Sequence, residues 1–227
     1  MKRLIVFVPL LAVFAGCPSF TTMGTARTIE KGKGQFYVAV GGTSLQSFET
    51  DSSGNRQSIG LPSFELGGRY GVADGVEMGG KIFPIGAELN AKIALVRPET
   101  PAGLNVSVGP AASIYPFTGD GSNTVVLAWL HLPVLCGFNF GGSELVIAPR
   151  VSDLILSDGA NSINTVFLGG SLGIAFKVSD GFRILPEVSF ASPVWYAVTA
   201  SGGTSSDRID PRGAIVQANL GFVLGGD

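Results

Sequence analysis

Residues 165–178 read Thr-Val-Phe-Leu-Gly-Gly-Ser-Leu-Gly-Ile-Ala-Phe-Lys-Val, and their alternation decides the fold class. Val166, Leu168, Gly170, Leu172, Ile174, Phe176 and Val178 fall on one phase. Thr165, Gly169, Ser171, Gly173, Ala175 and Lys177 fall on the other, with Phe167 the single exception. A period of two sustained over this length is the signature of a strand whose two faces meet different media. The last apolar run repeats it, with Ala214, Val216, Ala218, Leu220, Phe222 and Leu224 set against Gln217, Asn219 and Gly221.

Outward from these two runs the chain divides into ten such segments: 35–48, 63–72, 76–83, 86–96, 104–115, 125–140, 143–156, 165–178, 182–196 and 213–224. Most are near the length of about 9–11 residues that a tilted strand needs to cross a bilayer. Short connections (Ala73-Asp74-Gly75, Gly141-Gly142, Ser179-Asp180-Gly181) alternate with long ones at 49–62, 116–124, 157–164 and 197–212. Pro84-Ile85 is short where a long connection is due, and 97–103 is long where a short one is due. Residues that flank a tight turn pair directly and so share a face. Val72 with Val76, Val178 with Phe182, Phe83 with Gly86 and Phe140 with Ser143 all satisfy this.

The composition agrees with strands and excludes other classes. The 227 residues include 33 glycines and only 14% charged residues, with 45% apolar and a mean hydropathy of +0.39. No apolar run of about 20 residues follows residue 16, so a helical membrane protein is excluded. The glycines follow no period of three, which excludes collagen.

The N-terminus reads as an address. Lys2 and Arg3 precede an apolar run from Leu4 to Phe14, and Ala15-Gly16 supply small residues for cleavage. Phe14-Ala15-Gly16-Cys17 resembles a bacterial lipobox, with phenylalanine where leucine is usual. That resemblance implies a signal peptide at 1–16 and lipidation at Cys17. Residues 17–34 then read as a lipid-anchored periplasmic tether and 35–227 as the β-domain. Removing Lys2 and Arg3 leaves 13 basic residues against 17 acidic ones, and this balance does not favour nucleic acid. Beyond Cys17 only Cys136 remains, so no disulfide framework exists.

Strand pattern and turn alternation together resemble a small bacterial outer-membrane β-barrel. The resemblance implies an all-β, closed antiparallel up-and-down barrel of about ten strands, with short periplasmic turns, longer external loops and both barrel ends periplasmic. The polar phase would then line the lumen. The competing reading is a soluble lipocalin-like envelope barrel, with the apolar phase inward around an apolar ligand. The scarcity of charge on the polar phase favours the membrane. The implied partners are outer-membrane lipid and the barrel-insertion machinery. Such barrels often end on an aromatic residue, whereas Phe222 is followed by Val-Leu-Gly-Gly-Asp.

Twelve charged residues fall inside the strand runs, and eleven lie on the polar phase: Glu65, Arg69, Glu77, Lys81, Glu88, Lys92, Glu144, Arg150, Lys177, Arg183 and Glu187. Asp153 is the exception. The turns set Lys81 opposite Glu88 and Glu77 opposite Lys92, with Arg69 diagonal to Glu77 and Lys81, and Glu65 diagonal to Lys81. Opposite charges converging in a narrow barrel predict a lumen filled by ion pairs, because pairing removes most of the cost of a buried charge. The function that follows is structural, or interaction through the external loops. The alternative is a narrow channel whose charges select a small solute.

His131, the only histidine, falls on the polar phase near Trp129, with Ser152 nearly opposite. Some ten-stranded surface proteases, the omptins, and barrel lipid A deacylases use a histidine with acidic or serine partners. Mid-strand is the wrong height for an external substrate, and no further motif residues accompany the pair. The chain reads as neither an enzyme nor a metal or cofactor protein.

Overall fold

In a computed structural model of the chain, residues 19–50, 56–98, 102–118, 124–157, 161–200, 203–208 and 213–226 are described. The expected signal peptide at 1–16 and Cys17 lie outside them. The chain forms twelve strand segments: β1 (Gly34–Thr50), β2 (Arg56–Ala73), β3 (Val76–Phe83), β4 (Gly86–Val96), β5 (Leu104–Val108), β6 (Ala111–Thr118), β7 (Thr124–Phe140), β8 (Ser143–Ser157), β9 (Ser162–Ser179), β10 (Phe182–Ala200), β11 (Gly203–Arg208) and β12 (Ile215–Gly225). β5 and β6 are two lengths of one stave, both lying between β4 and β7. β11 and β12 share the last stave, both along β10. β1 pairs with β12 from Gln35↔Gly225 to Leu45↔Ile215, which closes an antiparallel barrel of ten staves.

The fifth stave breaks at Gly109-Pro110, where Pro110 has no N–H to offer a ladder, although other prolines such as Pro133, Pro149 and Pro186 stand in register within paired strands. The backbone bridges the gap through Ala91 N–H donating to Pro110 O and Gly109 N–H donating to Pro133 O, each at 3.0 Å.

Burial is inverted relative to a water-soluble barrel. Leu168, Leu172, Phe176 and Val178 face outward and exposed, as do Phe36, Phe64, Met78, Leu89, Leu132 and Leu220 on other strands. Glu65, Glu77, Lys81, Glu144 and Glu187 face inward and are almost wholly buried. A continuous apolar belt on a closed sheet, with every ladder satisfied, is the only β arrangement that lipid accepts. The chain folds as a closed β-barrel of the transmembrane type, its apolar belt outward. The interior apolar phase of a lipocalin-like barrel is excluded by the same observation. Phe167, which breaks the alternation of β9, points inward and packs against Trp129 with ring centroids 5.3 Å apart.

The short turns refine the expected register. β2–β3 closes as Ala73↔Val76 around Asp74-Gly75, with an irregularity between Gly71 and Ala73, in place of the expected Val72–Val76 pair. β9–β10 likewise closes as Ser179↔Phe182 rather than Val178–Phe182. Gly75 (φ +78°) and Gly181 (φ +72°) supply the left-handed residue that such turns need next to a bulge. Beyond the turn bulges the register is as expected, until β9–β10 shifts by one residue between Pro193 and Trp195. Parts of all four long connections read as loops are strand: β1–β2 stay paired out to Thr50↔Arg56, β6–β7 to Thr118↔Thr124 and β8–β9 to Ser157↔Ser162, and β10–β11 form a hairpin from Trp195↔Arg208 to Ala200↔Gly203. Ladder hydrogen bonds hold these Gly- and Ser-rich stretches where side-chain propensity does not.

The segment read as a tether is the largest departure. Ser19–Ile29 runs inside the barrel, with Ser19, Phe20, Thr21, Met23, Ala26 and Ile29 all buried. It enters from Gly34, at the end that carries the Asp74-Gly75, Gly141-Gly142 and Asp180-Gly181 turns. It rises until Phe20 packs in a cluster with Phe83, Tyr115, Leu127 and Trp129. The cause is the strongly polar inner wall, whose buried carboxylates and cations need partners that the wall alone does not supply.

Candidate functional site

The lumen is built in layers, and each inward side chain is placed by its strand register. Nearest the short turns, Lys92↔Glu77 is a direct cross-strand pair of β3 and β4. Lys92 Nζ lies 2.8 Å from Glu77 Oε1, and Arg69 Nε on β2 lies 3.8 Å from the same oxygen. Further in, past Gly79↔Asn90, Lys81↔Glu88 is the next charged inward pair of that hairpin. Lys81 Nζ lies 3.3 Å from Glu88 and 3.6 Å from Glu65. Above them sits the aromatic cluster, with Phe20 edge-on to Trp129 at 4.5 Å and Phe83 stacked on Tyr115 at 5.0 Å.

The inner wall accommodates these side chains by leaving space opposite them. Gly67 faces the Tyr37 ring, and any Cβ there would collide with it. Tyr37 in turn lies under the Arg69 guanidinium, 5.2 Å from its ring centre.

The N-terminal segment is held mainly through its backbone. Six of its N–H groups donate to side chains of the wall: Ser19 to Tyr115 Oη, Phe20 to Gln217 Oε1, Thr22 and Met23 to the two oxygens of Glu187, Ala26 to Glu144 Oε1, and Ile29 to Glu77 Oε2. Five of these are 2.7–2.8 Å long. Four of its carbonyls accept from cations: Thr21 O from Lys81, Thr22 O and Met23 O from Arg69, and Thr25 O from Lys92. The Ser19 and Thr21 hydroxyls donate to Glu65, which also accepts from Asn219 and Gln217. A remaining cavity of about 50 Å³ beside Arg69, Glu88, His131 and Arg150 has room for a few waters.

The expected lumen residues are therefore not all alike. Glu65, Arg69, Glu77, Lys81, Glu88 and Lys92 converge as described. Glu187 faces the lumen but holds the N-terminal backbone. Arg150 lies with its guanidinium over the Phe20 ring at 5.9 Å. Arg183 is buried low in the lumen, in register with Lys177 and Val223. Lys177 does not join the group. It reaches back along its own turn to Asp180, 2.6 Å away, and holds that exposed carboxyl below its ordinary range by hydrogen bond and charge. The position of Lys177 at the strand end makes the turn carboxylate nearer than any lumen acid.

Gln217, Tyr115 and the Thr21–Thr22 hydroxyls carry much of the site and were not singled out as site residues, and Glu144, placed on the polar phase, was given no partner. Their signal was a deficit: Glu144 and Glu187 have no base placed across from them, and a buried carboxylate needs donors from elsewhere.

His131 Nδ1 and Ser152 Oγ lie 2.8 Å apart, as a direct cross-strand pair. The imidazole stacks on Trp129 at 5.6 Å, and its Nε2 has no hydrogen-bond partner among the described residues. The distance suits a base and a nucleophile, but no carboxylate orients the ring and Phe20 lies over the pair, 6.3 Å from it. Among the described residues no group of three or more His, Cys, Asp or Glu side chains is placed to hold a metal.

No protein-family model matches the chain, and no curated protein matches its sequence. Solved structures do match in fold. The outer membrane protease OmpT from Escherichia coli is similar over 90% of this chain and 98% of its own, at 8% identity and a TM-score of 0.42. The outer membrane protein OprG from Pseudomonas aeruginosa is similar over 88% and 99%, at 10% identity and a TM-score of 0.37. Neisserial surface protein A is similar over 84% and 96%, at 12% identity and a TM-score of 0.31. At these identities the likenesses concern the barrel architecture and not an activity.

Proposed function

We propose that this outer-membrane barrel rests closed, its lumen occupied by the ion pairs of β2–β4 and by its own segment Ser19–Ile29, and that it acts as a structural or adhesive protein through its external loops. The observation that carries this reading is the N-terminal segment, seated by ten backbone hydrogen bonds, with a cavity of about 50 Å³ beside its Thr21–Gly24 stretch. A solute would have to displace both the segment and the aromatic layer above it.

In this reading the short turns face the periplasm. Outer-membrane lipid contacts the apolar belt, and the barrel-insertion machinery engages the last strand. The signal peptide is removed before Cys17. Acylation of Cys17 belongs to a state in which the segment has left the lumen. Ser19 sits above the ion pairs, and two residues span at most about 7 Å, too little to return to the periplasmic leaflet. His131 and Ser152 are read as a structural pair.

A narrow channel is the second reading. It is favoured by a cavity of about 390 Å³ at the short-turn mouth, lined by Arg27, Lys31, Arg97 and Asp74 among others. Conductance of the purified full-length chain in planar bilayers separates the two. The closed-barrel reading expects a silent protein, and reproducible small current steps in most insertions overturn it.

A further inference from the structure

Glu144 on β8 and Glu187 on β10 form no ion pair among the described residues, yet each is buried and accepts backbone N–H groups of the N-terminal segment at 2.7–2.8 Å. The cations Arg69, Lys81 and Lys92, ion-paired with acids of β2, β3 and β4, also donate to the segment's carbonyls. Glu144 and Glu187 stand across the lumen from this wall, whose Glu77 takes the Ile29 N–H. Both sides thus hold main-chain groups of one irregular segment, bent at Gly24, Ala26 and Arg27 and with Met23 at φ +40°. An ion-pair lattice alone needs no buried acids without a cation. Side-chain demands are few and local. Gly24 packs where any Cβ would meet the Arg69 guanidinium, and Ala26 lies against Gly137. Phe20 fills the aromatic layer, and Met23 packs over Gly221, its Sδ 2.8 Å from where a Cβ would stand.

We propose that the lumen is a binding site for a polypeptide main chain in the bent conformation that Ser19–Ile29 adopts in cis, and that it takes a peptide of the same pattern in trans when the cis segment is displaced. The peptide enters with its N-terminus directed away from the short turns. It requires glycine at the position of Gly24, a small residue at that of Ala26, and hydroxyls at those of Thr21 and Thr22. The proposal rests on the closed-barrel reading.

The test uses the full chain in planar bilayers. Gly24→Val puts a branched side chain where the Arg69 guanidinium stands, so Arg69 turns away, its bonds to Thr22 O and Met23 O are lost, and the loosened segment lets the variant conduct where the wild type is silent. A synthetic peptide of residues 19–30 then blocks that current. The same peptide carrying Gly24→Val blocks at least about tenfold more weakly, the loss expected from one charge-assisted bond. Equal block by both peptides, no block by either, or a folded variant that stays silent overturns the site. A conducting wild type refutes the closed-barrel reading instead, and the two peptides are then compared on the wild type. Where the variant fails to fold, amide exchange on the wild type decides. Met23, Ala26 and Ile29 should exchange at least 100-fold more slowly than in the free peptide, and exchange at the free-peptide rate overturns the proposal.

Discussion

Glu187→Gln isolates the grip on the N-terminal segment from the stability of the barrel wall. Glu187 Oε1 accepts the Thr22 N–H at 2.7 Å, and Oε2 accepts the Met23 N–H at 2.8 Å and the Thr22 hydroxyl at 3.0 Å. Glutamine keeps one acceptor and turns the other into an NH₂ that faces a donor. One charge-assisted bond, worth about 1.5–3 kcal/mol, is lost, and the other falls to the neutral range of about 0.5–1.5 kcal/mol. The carboxylate also gives up water when the segment seats, which offsets part of the loss. The net weakening is about 2 kcal/mol, or roughly 30-fold in the seated population. Hydrogen exchange in detergent micelles reads it directly, by comparing amides of 19–31 with those of β1. The expected result is roughly 30-fold faster exchange at Thr22, Met23 and Ala26, with Val38 and Val40 unchanged. Unchanged protection at Met23 would refute the geometry, and an equal loss along β1 would show that segment and wall are one cooperative unit.

Three further outcomes follow from the fold. Lys81→Met leaves Glu65 and Glu88 buried without their cation and should cost about 3–5 kcal/mol, read as a lowered urea midpoint for unfolding. Leu132→Arg places a charge halfway along β7 on the outer face, where Leu132 is 51% exposed. It should cost about 2–4 kcal/mol in lipid vesicles, and an unchanged midpoint would argue against the belt. Asp180 titrates below the ordinary carboxylate range, so its bond to Lys177 favours the fold above that range and fades as pH falls through the lowered value. Both partners are exposed, and Asp180→Asn should leave the urea midpoint unchanged at physiological salt at any pH.

The wall was legible in the sequence because lipid enforces a strict period of two. β3 and β4 occupy the runs read as 76–83 and 86–96, and their opposed charges follow from Phe83 pairing with Gly86. The turn bulges escaped because Gly75 and Gly181 each allow two closures that differ by one residue, and alternation does not distinguish them at a strand end. The contents of the lumen were half legible. Cross-strand neighbours could be read from register, whereas partners of Glu144 and Glu187 come from a segment over a hundred residues earlier. That segment places Phe20, Met23, Ala26 and Ile29 at every third position, a spacing that matches neither a strand nor a helix. Its hydroxyls and lack of periodic pattern resemble a linker, and only the unpaired acids of the wall argue otherwise. Lys177 was misplaced because phase fixes which face a residue takes, not which partner is nearest.

The direction of the N-terminal segment also constrains the order of assembly. Phe20 finds its acceptor in Gln217, 197 positions later, on the stave that seals the barrel against β1. Glu65 gains two of its donors, Gln217 and Asn219, from that same stave. The earliest described residues are therefore among the last to be satisfied, and sealing the wall completes the packing inside it. A chain stalled before β12 would hold an open sheet, an unfilled interior and a loose leading end all at once. Contacts of such long range form slowly, and that delay is when another polypeptide would meet the same unfilled groove.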